Sequence, residues 1–250
     1  MDLFEITLAV MGILTVIVGL ISAGTSIYLS TQYVRFNRKE NSAGLTGQAA
    51  ARRILDNNGL SHIEVCERGI FFFGNSYSHY FKRIRLRSRI RNKTSITSLA
   101  MGAQKASLAV LDKEGDPDMQ TRIKLIPLIN FGPFAFIPLV FVGVLLDVMI
   151  FNSTGICTAI LCSFSILFYV LSIVLSVYTL KTEKKAQEKA YVLLERNNMA
   201  TKEEIEDMKA LFKLYNIQYI NDIILASLEL AYRVLKIVIA VKSGKGKLSS

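Results

Sequence analysis

The sequence has no tryptophan, only three cysteines and only two histidines among its 250 residues. Cys66, Cys157 and Cys162 form neither a Cys-x-x-Cys pair nor a disulfide framework. His62 and His79 are far apart in the sequence, and two histidines alone are a poor basis for a zinc site, so we expect structural or surface roles for both. Acidic residues are also scarce, since 20 Asp and Glu against 30 Lys and Arg give a net charge of +10.

Apolar residues, by contrast, make up 51% of the chain, and the mean hydropathy is +0.36. Soluble domains rarely have this composition. Three long apolar runs occupy residues 6–29, 126–151 and 155–180. The first contains no charge and, at about 1.5 Å per helical residue, is long enough to cross a hydrocarbon core of roughly 30 Å. We interpret it as a retained anchor rather than a cleaved signal peptide.

The second and third runs are separated only by residues 152–154, which predicts a helical hairpin across the bilayer. Asp147 is the single charged residue within them, and a lone carboxylate near the end of a span most often reaches the interface. A fourth segment, residues 215–241, is apolar but contains Glu229 and Arg233, which are four apart and can neutralise each other on one helical face. This segment either spans the bilayer or lies partly in the interface, so we expect three to four transmembrane helices.

Basic residues flank the apolar runs on one side of the predicted membrane. They are Arg35, Arg38 and Lys39 after the first run, Arg122 and Lys124 before the second, and Lys181, Lys184, Lys185 and Lys189 after the third. By the positive-inside rule these flanks are cytoplasmic. This asymmetry fits the bacterial cytoplasmic membrane, although a mitochondrial inner membrane with the soluble domain on the matrix side would impose the same pattern.

The sequence predicts five consecutive parts. They are a transmembrane anchor (1–39), a cytoplasmic domain (40–124), a transmembrane hairpin (125–181), cytoplasmic helices (182–214), and a fourth membrane helix with a basic tail (215–250). In the cytoplasmic domain, Thr46 is predicted to cap a helix that Gly59 stops, and residues 63–67, 70–73 and 82–93 are predicted strands of a small sheet. Later in the chain, Thr201 and Glu204 form a capping box that opens a short helix.

The predicted strand 82–93 has the most unusual composition in the chain, because basic residues occupy every second position. An extended backbone would place all of them on one face. They are Arg83, Arg85, Arg87, Arg89, Arg91 and Lys93. Three interpretations remain open: a solvated edge strand, a face for anionic lipids or a partner, and a nucleic-acid surface. No aromatic stacking pattern supports the last, so we expect anionic lipids but no nucleic acid among the partners.

Several short segments together carry a family resemblance. They are residues 41–47 (Asn-Ser-Ala-Gly-Leu-Thr-Gly), 51–59 (Ala-Arg-Arg-Ile-Leu-Asp-Asn-Asn-Gly), His79-Tyr80, residues 94–100, and the region around Glu183. In these segments the chain resembles the bacterial membrane-bound neutral zinc metallopeptidases of the YugP type. The resemblance implies a first span, then a cytoplasmic zincin-like domain whose helix has a His-Glu-x-x-His motif, then a hairpin of spans.

Where that family has its metal-binding helix, this chain has Gln104, Lys105 and Leu108. The resemblance implies that they replace the first histidine, the catalytic glutamate and the second histidine, while Glu183 matches what we take to be the third ligand. Histidines at i and i+4 supply nitrogen lone pairs to zinc, and the glutamate takes a proton from the bound water. Leu108 has no lone pair, Gln104 is a weak zinc ligand, and Lys105 would repel a divalent cation. We therefore predict no catalytic residue, no bound metal and no cofactor.

These observations predict an α+β membrane protein, mostly α-helical, with a small cytoplasmic helix-plus-sheet domain. A lone Glu183 carboxylate near a cleft would be uncompensated, so we predict that Lys105 and Glu183 form an ion pair in place of the metal; the alternative is two separately solvated charges. The preferred function is that of a catalytically inactive homologue: a scaffold, assembly subunit or regulator of membrane protein partners, among them an active homologue. An active zinc metallopeptidase with non-standard ligands and an anionic-lipid-binding, membrane-organising protein are the alternatives.

Overall fold

The structure is a computed structural model that describes residues 3–67, 74–129, 132–151 and 155–248. The described chain is mostly helical and contains one small sheet. The helices are α1 (Leu3–Arg38), α2 (Gly47–Asn57), α3 (Ser88–Arg91), α4 (Ile96–Lys113), α5 (Pro117–Ile129), α6 (Gly132–Leu146), a π-helical turn (Asp147–Phe151), α7 (Ile156–Arg196) and α8 (Lys202–Leu248). The strands are β1 (Glu64–Glu67), β2 (Ser76–Ser78) and β3 (Arg83–Leu86).

The chain divides into two compact units. The first comprises residues 1–24, 124–177 and 220–250, and the second comprises residues 25–123 and 178–219. The first unit therefore contains most of the apolar sequence, whereas the second contains the sheet and the helices α2, α3 and α4.

In the second unit, α2 begins and ends where the sequence predicts. The Thr46 hydroxyl oxygen accepts a hydrogen bond from the Ala49 N–H at 3.1 Å, which satisfies an amide that has no partner within the helix. After Asn57 the chain reverses at Gly59, whose φ of +65° lies in the left-handed region that favours glycine. The apolar face of α2, including Ile54 and Leu55, is fully buried in the core of this unit.

Helix α4 is the central element of the second unit. Ser95 caps it by accepting a hydrogen bond from the Ser98 N–H at 3.1 Å, and every residue from Ile96 to Leu111 is buried. Helices α2 and α4 touch through their backbones: a Cβ added to Gly102 would lie 2.2 Å from the Gly47 carbonyl oxygen. The polar residues in the middle of α4 are consequently held inside the unit rather than in solvent.

The sheet has the strand order β1-β3-β2, with β1 parallel and β2 antiparallel to β3. Ile84 at its centre pairs with both Val65 and Tyr77 and is fully buried. The three-residue strand β2 was not predicted, and the predicted strand 70–73 lies outside the described residues.

The prediction of one strand over residues 82–93 is wrong beyond Leu86. The Arg87 N–H donates to the Asn75 side-chain oxygen at 2.8 Å, and the Ile90 and Arg91 amides turn back to the Arg87 carbonyl at 2.8 Å, which begins α3. The turn buries Ile90 in the core, which an extended backbone could not do. Successive helical residues point about 100° apart. The prediction that six basic side chains share one face is therefore wrong. These side chains are Arg83, Arg85, Arg87, Arg89, Arg91 and Lys93.

Two helices among the described residues are long and apolar enough to cross a membrane, Ile6–Arg38 and Ile156–Arg196, and a shorter apolar helix occupies Ile137–Ile150. A total of three to four spans stays a prediction, and the predicted hairpin loop at residues 152–154 lies outside the described residues. Helix α7 continues past Leu180 without a break, so the third apolar run and the first part of the predicted cytoplasmic helices form one helix.

The short helix predicted after Thr201 is in fact the start of α8, which runs unbroken through the predicted boundary at residue 215. No glycine or proline occurs between residues 202 and 243, so nothing in the sequence interrupts the helix. Its predicted capping box is confirmed, because Glu204 accepts from the Thr201 N–H at 2.8 Å and the Thr201 hydroxyl accepts from the Glu204 N–H at 3.3 Å. The predicted pair of Arg233 and Glu229 also forms, within the first unit.

In the first unit, the Asp147 carboxylate is buried against the start of α7, and its expected position at the membrane interface stays a prediction. It is only 4% exposed, and its two carboxylate oxygens accept from the N–H groups of Cys157 at 2.9 Å and Thr158 at 2.8 Å, and from the Thr158 hydroxyl at 2.6 Å. These amides belong to the first turn of α7, where they have no partner within the helix. Asp147 thus caps α7 from the preceding π-helical turn.

We expect Asp147→Leu to lower the free energy of unfolding by about 1–2 kcal/mol, because it removes the acceptor for two amides and one hydroxyl. Asp147→Asn is the matched control, since its amide oxygen keeps one acceptor and it should lose less. Thermal unfolding in detergent micelles, followed by circular dichroism at the helical band, measures both. Equal melting temperatures for all three proteins would contradict the capping role.

Candidate functional site

The site lies in the second unit, where the middle of α4 faces the part of α7 beyond its apolar stretch. Gln104 and Lys105 are 4% and 8% exposed, and both reach Glu183 on α7. The Gln104 Nε2 donates to Glu183 Oε2 at 2.8 Å, and the Lys105 Nζ donates to the same oxygen at 2.7 Å. The structure therefore brings together three of the residues that the sequence analysis selected.

A second cation completes the environment of Glu183. Arg122 on α5 donates from Nη2 to Glu183 Oε1 at 3.1 Å and from Nη1 to the Thr182 hydroxyl at 3.0 Å. Sequence analysis placed Arg122 only in a basic flank and missed this contact, because nothing in the sequence shows that α5 faces this part of α7. Both oxygens of Glu183 are consequently occupied by donors from the protein itself.

Two cations around one carboxylate determine its charge state. Burial alone raises the pKa of Glu183, but the positive charges of Lys105 and Arg122 and their hydrogen bonds outweigh it and hold this pKa below its ordinary value of 4.5. Glu183 is therefore ionised at neutral pH, and the cluster of Lys105, Arg122 and Glu183 has a net charge of about +1.

Leu108 is not part of this cluster. It is 1% exposed and packs in the apolar core of the second unit with residues such as Leu99 and Phe212. Its neighbour Ser107 is fully buried, and its hydroxyl has no hydrogen-bond partner among the described residues. The position where the resemblance places a second histidine thus contributes apolar packing.

The residues at this site do not fit a zinc ion. Zinc in proteins takes neutral imidazole nitrogens, thiolates or carboxylates as ligands. Around Glu183 the structure places one amide and two cations, and the cations would repel a divalent metal. Within the described part of the chain, no group of three or more His, Cys, Asp or Glu side chains could hold a metal ion.

A cavity of about 390 Å³ opens beside the ion pair. Its walls combine apolar, aromatic and amide side chains from the second unit. The lining residues include Arg87, Met101, Gln187, Phe212, Tyr215 and Asn216, in addition to Gln104, Lys105 and Glu183.

His79 belongs to a separate polar cluster around Asp112 of α4, which sequence analysis missed. The His79 Nδ1 lies 2.6 Å from Asp112 Oδ2, and the Tyr77 hydroxyl donates to the same oxygen at 2.6 Å. Burial raises the pKa of Asp112, but the bonds from Tyr77 and His79 outweigh it and lower this pKa. Asp112 lies about one helical turn after Leu108, so helical spacing could have indicated that Asp112 is on the same side of α4 as Leu108. His62 lines a smaller cavity of about 240 Å³ together with His79.

The six alternating basic residues from Arg83 to Lys93 are divided among different surroundings. The guanidinium carbons of Arg83 and Arg85 lie 5.8 Å and 5.4 Å from the centre of the Phe81 ring, which is within the range of a cation–π contact. Arg91 approaches Glu67 at 3.5 Å. The others, Arg87, Arg89 and Lys93, are exposed.

Comparisons with known proteins indicate the family to which the chain is related. A family model described as "Putative neutral zinc metallopeptidase" matches residues 11–238. The "Putative membrane protease YugP" of Bacillus subtilis (strain 168) is 28% identical over 116 residues, which cover 46% of this chain and 50% of that protein. The match thus spans about half the length of that curated relative. No solved structure matches the chain significantly.

Proposed function

The chain belongs to the neutral zinc metallopeptidase family, and we propose that it is a catalytically silent member that acts as a scaffold, assembly subunit or regulator of other membrane proteins. The soluble part is proposed to lie on the cytoplasmic side of a bacterial membrane, following the basic flanks. An active homologue is one candidate partner.

One observation carries this proposal: the Lys105 ammonium lies 2.7 Å from the Glu183 carboxylate. A hydrolytic zinc site needs a metal ligand and a general base in this region. An ammonium at this distance supplies neither, because an ammonium has no lone pair and it repels a divalent cation.

The same contact supports a structural role for the ion pair. Glu183 lies on α7 and Lys105 on α4, so the pair ties two helices of the second unit together, as a shared metal ion would. The side chains of Lys105, Glu183 and Arg122 are at most 16% exposed, so solvent screens their attraction weakly. We propose that this pair stands in for the metal and preserves the surface that binds partners.

Metal content and peptidase activity test the loss of catalysis. The full chain, purified in detergent and exposed to zinc, should contain far less than one zinc per chain and should not hydrolyse unfolded polypeptides. Glu183→Ala is the control variant, and it should not change the zinc content. Stoichiometric zinc that disappears in Glu183→Ala, together with hydrolysis, would instead support an active metallopeptidase with non-standard ligands.

A scaffold role has its own test. Affinity purification from native membranes after chemical crosslinking should recover the same second membrane protein at a fixed ratio, identified by mass spectrometry. An unrelated membrane protein of similar size and charge, purified in the same way, is the control bait. Recovery of the same proteins by both baits, or of none, would contradict the scaffold role.

A second candidate function, binding of anionic lipids, is supported by the loop before β3. Tyr80 and Phe81 are 58% and 63% exposed, and Arg83 and Arg85 approach the Phe81 ring. Exposed aromatic rings next to basic side chains are typical of protein surfaces at the membrane interface. This group of four residues replaces the single basic face that the sequence suggested.

We expect the double variant Arg83→Gln/Arg85→Gln to bind anionic lipid about 30-fold more weakly at low salt, since each basic residue near the headgroups contributes about 1 kcal/mol. Titration of phosphatidylglycerol into the detergent-solubilised chain, followed by native mass spectrometry, measures the affinity. The effect should shrink at high salt. Lys93→Gln, which removes an exposed charge away from Phe81, is the matched control; equal binding of phosphatidylglycerol and phosphatidylcholine would contradict this function.

A further inference from the structure

The cavity beside the ion pair has an apolar wall and a polar wall. Met101 of α4, together with Phe212 and Tyr215 of α8, supplies the apolar and aromatic surface. Its volume of about 390 Å³ is within the usual range for small-ligand sites. This wall is suited to one apolar side chain.

The charge of the cavity is positive. Glu183, the carboxylate among the lining residues, is already compensated by Lys105 and Arg122. Arg87 also lines the cavity, its side chain is exposed, and it forms no salt bridge with a carboxylate among the described residues. An anionic ligand group is therefore favoured near Arg87.

The polar wall consists of side-chain amides. Gln187 and Asn216 exchange two hydrogen bonds, with the Gln187 Nε2 donating at 3.0 Å and the Asn216 Nδ2 donating at 2.8 Å. Each amide then keeps one further N–H and one further lone pair, and Gln104 likewise keeps an N–H after its bond to Glu183. Paired donors and acceptors of this kind match the N–H and C=O groups of a peptide.

We propose that this cavity binds the free C-terminal carboxylate of a polypeptide whose last residue is apolar. The terminal carboxylate pairs with Arg87, the last side chain packs against Met101, Phe212 and Tyr215, and the amides of Gln187 and Asn216 bond to the last peptide groups. The inference rests on the proposed function, because a cavity that holds a chain end without cutting it suits a silent member of a peptidase family. A fatty acid shares the carboxylate and the apolar chain but has no peptide groups for the amide wall.

Calorimetric titration of the detergent-solubilised full chain tests the proposal. The probes are acetyl-Ala-Ala-Leu with a free carboxylate, the same peptide as its C-terminal amide, and decanoate. The free acid should bind at least tenfold more tightly than the amide, as expected for a guanidinium–carboxylate pair. Arg87→Gln should reduce the affinity for the acid to that for the amide and leave the amide affinity unchanged. Arg89→Gln is the matched control, because Arg89 is exposed but does not line the cavity.

Several results would overturn the proposal: equal affinities for acid and amide, no peptide binding at millimolar concentration, or tight binding of decanoate without binding of the peptide. Chromatography of the peptides after the titration shows whether they have been cleaved, so failure of this proposal can be distinguished from failure of the proposed function. Cleavage of the peptide would overturn the silent function, whereas the ratio of acid to amide affinity still decides the ligand of the cavity.

Discussion

Glu183→Gln is expected to lower the free energy of unfolding of the second unit by about 3–5 kcal/mol, the usual cost of leaving buried charge unpaired. The substitution leaves Lys105 and Arg122 beside each other without an anion. Lys105→Met should cost less, because Glu183 keeps its bonds to Arg122 and Gln104. Thermal and urea unfolding in detergent, followed by circular dichroism, measure the differences.

The double variant Lys105→Met/Glu183→Gln is the control for this prediction. Because it removes one cation together with the anion, it should be more stable than Glu183→Gln alone, and a double-mutant cycle then gives the coupling between the two residues. Additive effects of the two single substitutions would mean that the 2.7 Å contact contributes no stability of its own.

The stability difference between the native chain and Glu183→Gln is also expected to depend on pH. Because the pKa of Glu183 is lower in the folded chain than its ordinary value of 4.5, its contribution to stability is fully present above pH 4.5 and is lost as the pH falls through the folded value. The stability difference between the native chain and Glu183→Gln should therefore be constant near neutral pH and shrink below pH 4.5. A difference that grows on acidification would contradict the assigned charge state.

Features with a local cause could be predicted from the sequence. The cap at Thr46, the stop at Gly59 and the capping box of Thr201 and Glu204 depend on residues at most four positions apart along one helix, and the structure has all of them. The strand predicted from alternating basic and apolar residues was wrong beyond Leu86, because the structure there depends on contacts that are not local. The burial of Ile90 and the hydrogen bond from the Arg87 amide to Asn75 are contacts with residues distant in the sequence. They outweigh the preference for a strand that the alternating pattern indicates.

At the site, too, local features could be predicted from the sequence, whereas long-range contacts could not be predicted from local patterns alone. Nothing local indicates that Lys105 meets Glu183, which is 78 residues away; only the family resemblance suggested that these positions face each other. The contact of Arg122 with Glu183 and the bond of Asp112 to His79 had no such guide and were missed. Long-range polar contacts depend on how helices pack, and hydrophobic periodicity specifies only which face of a helix is buried.

Gly102→Ala is expected to be the most damaging single-methyl addition in the second unit, at a cost of about 3 kcal/mol or more. The new Cβ would lie 2.2 Å from the Gly47 carbonyl oxygen and 2.9 Å from the Gly47 carbonyl carbon. Both are backbone atoms, so no rotamer change relieves the overlap and α2 must move away from α4. The displacement would also shift Gln104 and Lys105 relative to Glu183, so the contribution of the ion pair should fall in this background.

Gly24→Ala in α1 is the matched control, because it is the same change within a helix and a Cβ there meets nothing within 4 Å. Alanine costs less conformational entropy than glycine in a helix, so this variant should be as stable as the native chain or more stable by about 0.5–1 kcal/mol. Unfolding of both variants is followed by circular dichroism, since the chain has no tryptophan to report on packing. If Gly102→Ala unfolds at the same temperature as Gly24→Ala, the backbone contact between α2 and α4 does not exist in solution, and the placement of Lys105 beside Glu183 loses its support.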